Sequence, residues 1–300
     1  MFTDLSIIVV NWNLKDDTLE CIASLLKAGA SLSQIIIVDN GSTDGSILAL
    51  RNQYQNSLFI IDALENLGYA AGVNLGIEYA LSQDYKWLLL LNNDTIVAVD
   101  FIKEMHKAAL TCNEYSILAP IILYHSNPSK IWFLGDRLIG KTLLTNKSYK
   151  NSNIDQSLPQ LIPTDFTNGC AMMVSRSVFE KIGLFDATLF MYGEEVDFCW
   201  RARLAGFRFA CFTAAHIWHK ISKSSKSTQP FSRYLRIRNQ IIYYRRYSPN
   251  AQLMILFIFT LLRTIRICIS DLLRWELDLI QPSVRGWLSG WFENHSVISR

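Results

Sequence analysis

The sequence predicts an α/β protein built on a parallel, doubly wound sheet, and three observations predict it. Short apolar runs alternate with helix-period segments through the first hundred residues, the pattern of strands joined by crossover helices. The run Leu88-Leu89-Leu90-Leu91 is apolar at every position, which suits a strand buried on both faces of a parallel sheet. That run stops on Asn92-Asn93-Asp94, which places polar side chains just past the carboxyl end of a strand, where open α/β sheets bind ligands. A lone carboxylate flanked by amides there can hold a hard cation without crowding like charges.

In chain order, strands are expected over Leu5 to Val10, Ile35 to Val38, Leu58 to Ile61 and Trp87 to Leu91. Helices are expected over residues 15–28, where Leu19, Ile22, Leu25 and Leu26 fall on one face, and at about 44–53 and 70–82. Residues 124–163 carry Pro128, Gly135, Gly140, Pro159 and Pro163 around a polar stretch, which reads as a loop-rich insertion with short strands. Regularity returns with a strand at Cys170 to Val174, a helix over 194–205 ended by Gly206, and a strand from Phe207 to Phe212. From about Phe231 the pattern is helical. There Leu253 to Leu262 is apolar except for Thr260, and Arg263 and Arg266 then interrupt it. A run this short falls below the roughly 20 residues of a spanning helix, so an amphipathic helix lying in a membrane surface is expected; a core helix would carry the same run.

Three hundred residues suffice for one large or two modest domains. The division expected is a catalytic domain over 1–228, with a nucleotide half at about 1–112 and an acceptor half at about 113–228, and a helical region over 229–300. A net charge of +3 does not argue for nucleic acid. Arginines crowd the last third, among them Arg233, Arg236, Arg238, Arg245, Arg246, Arg263 and Arg266; they suit solvated helix faces or a surface facing anionic lipid. The six cysteines form no C-x-x-C pair, so buried free thiols in a reducing compartment are expected and a zinc site is not. The segment Met1-Phe2-Thr3-Asp4 does not begin a signal-peptide pattern.

Four segments carry candidate chemistry. Asp39 ends the second strand ahead of Asn40-Gly41-Ser42-Thr43; its carboxylate could accept the imide N–H of a pyrimidine base, or simply cap a turn. Glu65 to Gly76 is glycine-rich without the G-x-G-x-x-G spacing, and Gly68 and Gly72 would let backbone approach a ligand. Glu194, Glu195 and Asp197 start a helix, where acids gain from the helix dipole and where one could be a general base. Trp200 and Arg201 follow and could frame an acceptor. His216 to Ser224 follows a strand; a neutral imidazole there could complete a metal site begun by Asp94, and Lys220, Lys223 and the serines could meet a diphosphate.

Together the segments VDNGSTDGS (38–46), ENLGYAAGVNLG (65–76), LLLLNNDT (88–95), NGCAMMVSR (168–176), FMYGEEVDFCWR (190–201) and HKISKSS (219–225) resemble the family-2 glycosyltransferases. Within that family the chain resembles the rhamnosyltransferase-type branch that builds bacterial surface polysaccharides. The likeness runs from about Ser6 to Tyr247, and Arg238-Asn239 and Arg285-Gly286-Trp287 are similar to that branch as well.

The resemblance implies a GT-A fold, a Rossmann-like mixed sheet, here with a helical, membrane-associating C-terminal extension. It implies a nucleoside-diphosphate sugar as donor, dTDP-L-rhamnose favoured, and Mn²⁺ or Mg²⁺ as cofactor. Asp39 matches the base-contacting acid, and Asn11, Asn66, Gly68, Asn74, Asn93 and Asp94 fall in the nucleotide-sugar segments. Asp94 and His219 match the metal site, with Asn92 standing where the family's D-x-D motif has its first acid. Glu195 matches the catalytic base, with Asp197 as the alternative, and Tyr192, Glu194, Trp200 and Arg201 fall at the acceptor side. The implied acceptor is a polyprenyl-diphosphate-linked glycan at the cytoplasmic face of the inner membrane, and there is room for a homodimer. Rival readings are a UDP-hexose or galactofuranose donor, or an inactive sugar-nucleotide-binding scaffold. A dinucleotide oxidoreductase is disfavoured because the first βα turn, Asn11-Trp12-Asn13-Leu14, has no glycine.

Overall fold

A computed structural model describes residues 2–138, 145–147, 149–155, 157–221 and 229–294. The first third alternates as expected: β1 (Leu5–Asn11), α1 (Lys15–Lys27), β2 (Ile35–Asp39), α2 (Ser46–Tyr54), β3 (Phe59–Asp62), α3 (Gly68–Leu81) and β4 (Trp87–Asn92). Then follow β5 (Thr95–Val97), α4 (Phe101–Thr111), β6 (Ile117–Tyr124), β7 (Asn127–Phe133), and the short β8 (Arg137–Leu138) and β9 (Thr145–Asn146). The remainder is β10 (Leu161–Thr164), β11 (Ala171–Ser175), α5 (Arg176–Ile182), α6 (Glu194–Leu204), β12 (Phe209–His219), α7 (Pro230–Tyr247), α8 (Asn250–Leu273) and α9 (Ile280–Phe292).

The main sheet runs β10-β12-β6-β11-β4-β1-β2-β3, with β5 added to β12 and β7 to β6. The block β4-β1-β2-β3 is parallel. The sheet becomes mixed where β11 enters antiparallel between β4 and β6. Leu88 to Leu91 are at most 1 % exposed, buried between the two apolar layers that cover the sheet: Leu89 and Leu91 face one, Leu88 and Leu90 the other. In register, Asn11 sits opposite Asp39 and Asp39 opposite Asp62, while Asn92 pairs one residue back with Val10. The carboxyl ends of four strands thus form one polar edge where β1 has β2 on one side and β4 on the other, the topological switch point of such sheets.

Two expectations need correction. The last strand of the catalytic sheet does not stop at Phe212: β12 continues to His219 past a bulge between Phe212 and His216. His216 and His219 therefore belong to a strand, not to a loop after one. The apolar run Leu253 to Leu262 lies toward the N-terminal end of a 24-residue helix, which by length and composition is long enough and apolar enough to cross a membrane. The helix continues through Arg263 and Arg266, and Arg263 reaches back to the Gln240 carboxamide on α7.

Helix α8 is turned inside out. Its buried residues are Thr260, Thr264 and Asp271, while Ile258, Leu262, Ile269 and Leu272 are each at least half exposed. Both Trp287 and Trp291 of α9 donate their indole N–H to Thr260 Oγ1, at 3.1 and 3.0 Å, and Asp271 takes Arg233 of α7 at 2.9 Å. Against α7, α9 packs at van der Waals limit through two glycines: a Cβ on Gly286 would lie 2.7 Å from the Tyr234 carbonyl oxygen, and one on Gly290 2.8 Å from Ile241 Cβ and 3.1 Å from the Arg238 carbonyl oxygen.

Candidate active site

At the switch point the first site element is an amide hub. Asn11 is fully buried; its Nδ2 donates to Asp39 Oδ2 at 2.6 Å and to Ser42 Oγ at 3.0 Å. Its Oδ1 accepts from Thr18 Oγ1 at 2.6 Å and from Asn93 Nδ2 at 3.1 Å. Asp39, also fully buried, takes the Ser42 N–H on its other oxygen at 2.8 Å. The hub thus locks the first βα turn, the second and the start of β5 to one another, and each Asp39 oxygen keeps one further lone pair for a ligand.

The metal-candidate pair is placed by strand pairing. Thr95 of β5 lies opposite His219 of β12, which brings Asp94 Oδ1 to 3.1 Å from His219 Nε2. Both side chains are under a tenth exposed, and Trp132 meets the imidazole edge-on at 4.7 Å. The two atoms are hydrogen-bonded to each other; once that proton leaves, their spacing matches two ligands at about 2.1 Å in adjacent positions of an octahedral ion, about 3 Å apart. With two protein ligands the rest of the shell would come from substrate oxygens and water, the way Mg²⁺ sites at phosphates are built; among the described residues no cluster of three or more His, Cys, Asp or Glu could hold a metal alone.

The carboxylate candidates stand at the start of α6. Glu195 is partly exposed, and its Oε2 accepts the Gly193 N–H at 3.1 Å. Burial raises its pKa above the ordinary range, against the pull of the Gly193 and Glu195 N–H groups and of the Lys147 and Arg236 charges. Glu194 is 6 % exposed, its Oε2 has no hydrogen-bond partner, and burial followed by the adjacent Glu195 charge holds it well above the usual carboxylate range. Asp197 differs from both. Its Oδ2 takes Arg201 Nε at 2.9 Å, and its Oδ1 takes Arg246 Nη1 at 2.9 Å and Tyr247 Oη at 2.7 Å.

The metal edge and the carboxylates meet at Asn168-Gly169-Cys170. The Asn92 N–H donates to the Cys170 carbonyl at 2.9 Å, Tyr69 Oη donates to the Gly169 carbonyl at 3.3 Å, and the Glu195 side chain lies against Gly169, where an added Cβ would sit 3.4 Å from Glu195 Cβ.

Several residues stand in scaffold positions that the sequence does not reveal. Arg201 sends Nη1 to the Ile182 carbonyl and Nη2 to the Leu184 carbonyl, at 2.7 and 2.8 Å, so its fork braces α6 against the end of α5 instead of opening toward an acceptor. Trp200 packs among Phe166, Tyr243 and Tyr247. Asn74 forms a two-point bridge to the Phe185 backbone, at 2.9 and 3.0 Å. Asn66 Oδ1 receives the Gly68 N–H and Asn40 Nδ2. The close approach at Gly68, with φ +82°, is made by Phe190, whose ring would lie 2.6 Å from a Cβ there; Gly72 faces the Asn40 amide. Lys220 is paired with Asp17 and Glu20 of α1, and Lys223, Ser222 and Ser224 lie outside the described residues. Tyr192, with φ +71°, has its ring under Arg236 at 3.9 Å and its hydroxyl 3.2 Å from Ser232 Oγ. The sequence assigns no site role to Asn40, Arg246 or Asn239, each buried or nearly so and each facing backbone or charge from a distant segment.

A Rossmann-like half, an antiparallel intrusion at β11, and an Asp–His pair on the strand edge define a GT-A-type sugar-nucleotide fold. The chain belongs to the glycosyl transferase family 2, whose family model matches residues 6–183, and within it is rhamnosyltransferase-like. It is 29 % identical over 249 residues to the low-salt glycan biosynthesis hexosyltransferase Agl10 of Haloferax volcanii, covering 81 % of this chain and 76 % of that one. It is 27 % identical over 224 residues to the N-acetylglucosaminyl-diphospho-decaprenol L-rhamnosyltransferase of Mycobacterium tuberculosis, covering 68 % and 72 %. Among solved structures, the mannosyltransferase PcManGT of Pyrobaculum calidifontis, in complex with GDP-Man and Mn²⁺, superposes with a TM-score of 0.60 over 97 % of this chain and 88 % of that one, at 10 % identity.

Proposed function

We propose that this glycosyltransferase moves L-rhamnose from dTDP-L-rhamnose onto a polyprenyl-diphosphate-linked glycan, with inversion, at the cytoplasmic face of the inner membrane. The observation that carries the reading is the Asp94–His219 pair, with His219 beside Cys170 and Glu195 packed against the adjacent Gly169. Asp39 and the Asn11 hub hold the thymine end of the donor. Asp94 and His219 would hold Mn²⁺ or Mg²⁺, which as a Lewis acid stabilises negative charge on the leaving diphosphate. Glu195 takes the proton of the acceptor hydroxyl as that oxygen attacks the anomeric carbon. Its raised pKa makes it a stronger base than an ordinary glutamate carboxylate. With both Asp197 oxygens held by Arg201, Arg246 and Tyr247, Glu195 is favoured over Asp197 as base.

The rhamnose assignment draws on the M. tuberculosis and Shigella flexneri relatives named as rhamnosyltransferases, and the lipid-linked acceptor on the diphospho-decaprenol of the first. The outward apolar face of α8, with Arg266 exposed within it, favours residues 229–300 as the membrane-contacting region. The deciding experiment is a thermal-shift and transfer panel of dTDP-rhamnose, UDP-hexoses and UDP-galactofuranose with and without Mn²⁺. dTDP-rhamnose should give the largest stabilisation, lost on chelation and in Asp94→Ala. A larger shift and faster transfer with a UDP sugar would replace the donor, and stabilisation indifferent to both chelator and Asp94→Ala would remove the metal role.

A further inference from the structure

We propose that Asn239 is a positioning residue for Glu195: it holds the carbonyl end of the Tyr192–Gly193 peptide whose N–H end holds the Glu195 carboxylate. This rests on Glu195 as the base. The Asn239 carboxamide is 3 % exposed, and its Nδ2 lies 2.8, 2.9 and 2.7 Å from the carbonyl oxygens of Leu189, Met191 and Tyr192. Its Oδ1 accepts from Arg238 Nε at 2.8 Å, and Arg238 Nη2 donates to the Thr188 and Leu189 carbonyls at 2.8 and 3.2 Å. The amide orientation is forced, since the reverse would set an oxygen against three carbonyl oxygens.

Three carbonyls of one short segment converge on a single nitrogen because the backbone turns left-handed twice, at Phe190 (φ +63°) and Tyr192 (φ +71°), before Gly193 (φ +96°). Side-chain-bearing residues keep such conformations only where surrounding contacts over-determine them. The loop is also anchored on the donor side, where the Ala70 N–H donates to the Phe190 carbonyl at 3.0 Å. The Tyr192–Gly193 peptide then has its oxygen fixed by Asn239 and donates its N–H to Glu195 Oε2 at 3.1 Å. A hydrogen-bond donor on α7 thereby sets the direction of the carboxylate on α6, leaving Oε1 for the acceptor proton.

The test compares Asn239→Ala and the isosteric Asn239→Asp, whose carboxylate cannot donate, with wild type and Glu195→Gln. Both Asn239 variants should lose about 10–100-fold in kcat, the scale of an ångström-sized misplacement, with the donor KM within about threefold of wild type. Amide exchange in 189–195 should accelerate while the β1–β4 core stays protected. Retained kcat in a folded Asn239 variant, or a parallel loss of kcat and donor affinity, overturns the proposal. If neither buried variant folds, Arg238→Ala, which removes from a partly exposed position the donor to Asn239 Oδ1 and to the Thr188 and Leu189 carbonyls, should show the same pattern at smaller size, and normal kcat there overturns it. Normal transfer by Glu195→Gln would instead remove the base assignment, while accelerated exchange would still report the loop clamp.

Discussion

Arg246 on α7 donates to Asp197 on α6 at 2.9 Å with both side chains under a tenth exposed, and on its other side it lies 2.7 Å from Asp186. One guanidinium between two carboxylates ties the start of α6, the loop before it and the C-terminal helices into a buried ionic joint. Removing one member of a buried pair typically costs about 3–5 kcal/mol, because the partner charge is left uncompensated. Asp197→Ala should therefore lower the unfolding free energy on that scale in urea titration. A stable Asp197→Ala protein that has lost only kcat would move the base assignment to Asp197.

Glu195→Gln removes a proton acceptor and keeps the shape. Transfer should fall by at least about 100-fold, the lower range for general-base catalysis, while the donor-induced thermal shift persists.

In wild type, the pH dependence follows from the raised pKa of Glu195. A base must be ionised to act, so kcat/KM should climb with pH along a limb lying above the ordinary glutamate range. Stability runs the opposite way. Folded-state pKa values raised above the unfolded ones, here for Glu194 and Glu195, give a contribution that is full below the unfolded glutamate pKa and lost as pH rises through the folded values. The native state should thus lose stability over the interval in which activity appears, a crossing visible when Tm and kcat/KM are followed over one pH series. An acidic limb at the ordinary glutamate value would contradict it.

The apolar face of α8 can be tested without disturbing the core. Leu262 and Ile269 are more than half exposed, so Leu262→Glu with Ile269→Glu should leave Tm nearly unchanged. Withdrawing two side chains from an apolar phase costs about 1.5–3 kcal/mol each, so partitioning onto anionic vesicles should fall by at least about tenfold. Unchanged partitioning would argue against a lipid-facing role.

How far the sequence carried depended on the range of the interactions involved. β1, β2 and β4 were legible because strands covered on both faces are continuous apolar runs. His219 was misplaced because the bulge after Phe212 breaks the period of β12, so its last residues look like a loop. Arg201 reads as a free cation on a helix until the fold delivers the Ile182 and Leu184 carbonyls. Asn239 was illegible as a site residue, since its three acceptors come from a segment some fifty positions earlier. The apolar length of α8 is hidden in the sequence because Arg263 and Arg266 interrupt the run, although the helix continues through both to Leu273.

Gly286 and Gly290 leave no room for even a methyl group between α9 and the α7 backbone, and the carbonyl that Gly290 touches belongs to Arg238, the neighbour of Asn239. The last helix is therefore a buttress with fixed thickness, not an interchangeable appendage. Grafting a different helical tail onto residue 229 would have to reproduce that spacing to within a carbon atom, or the loop ahead of Glu195 would lose its backing.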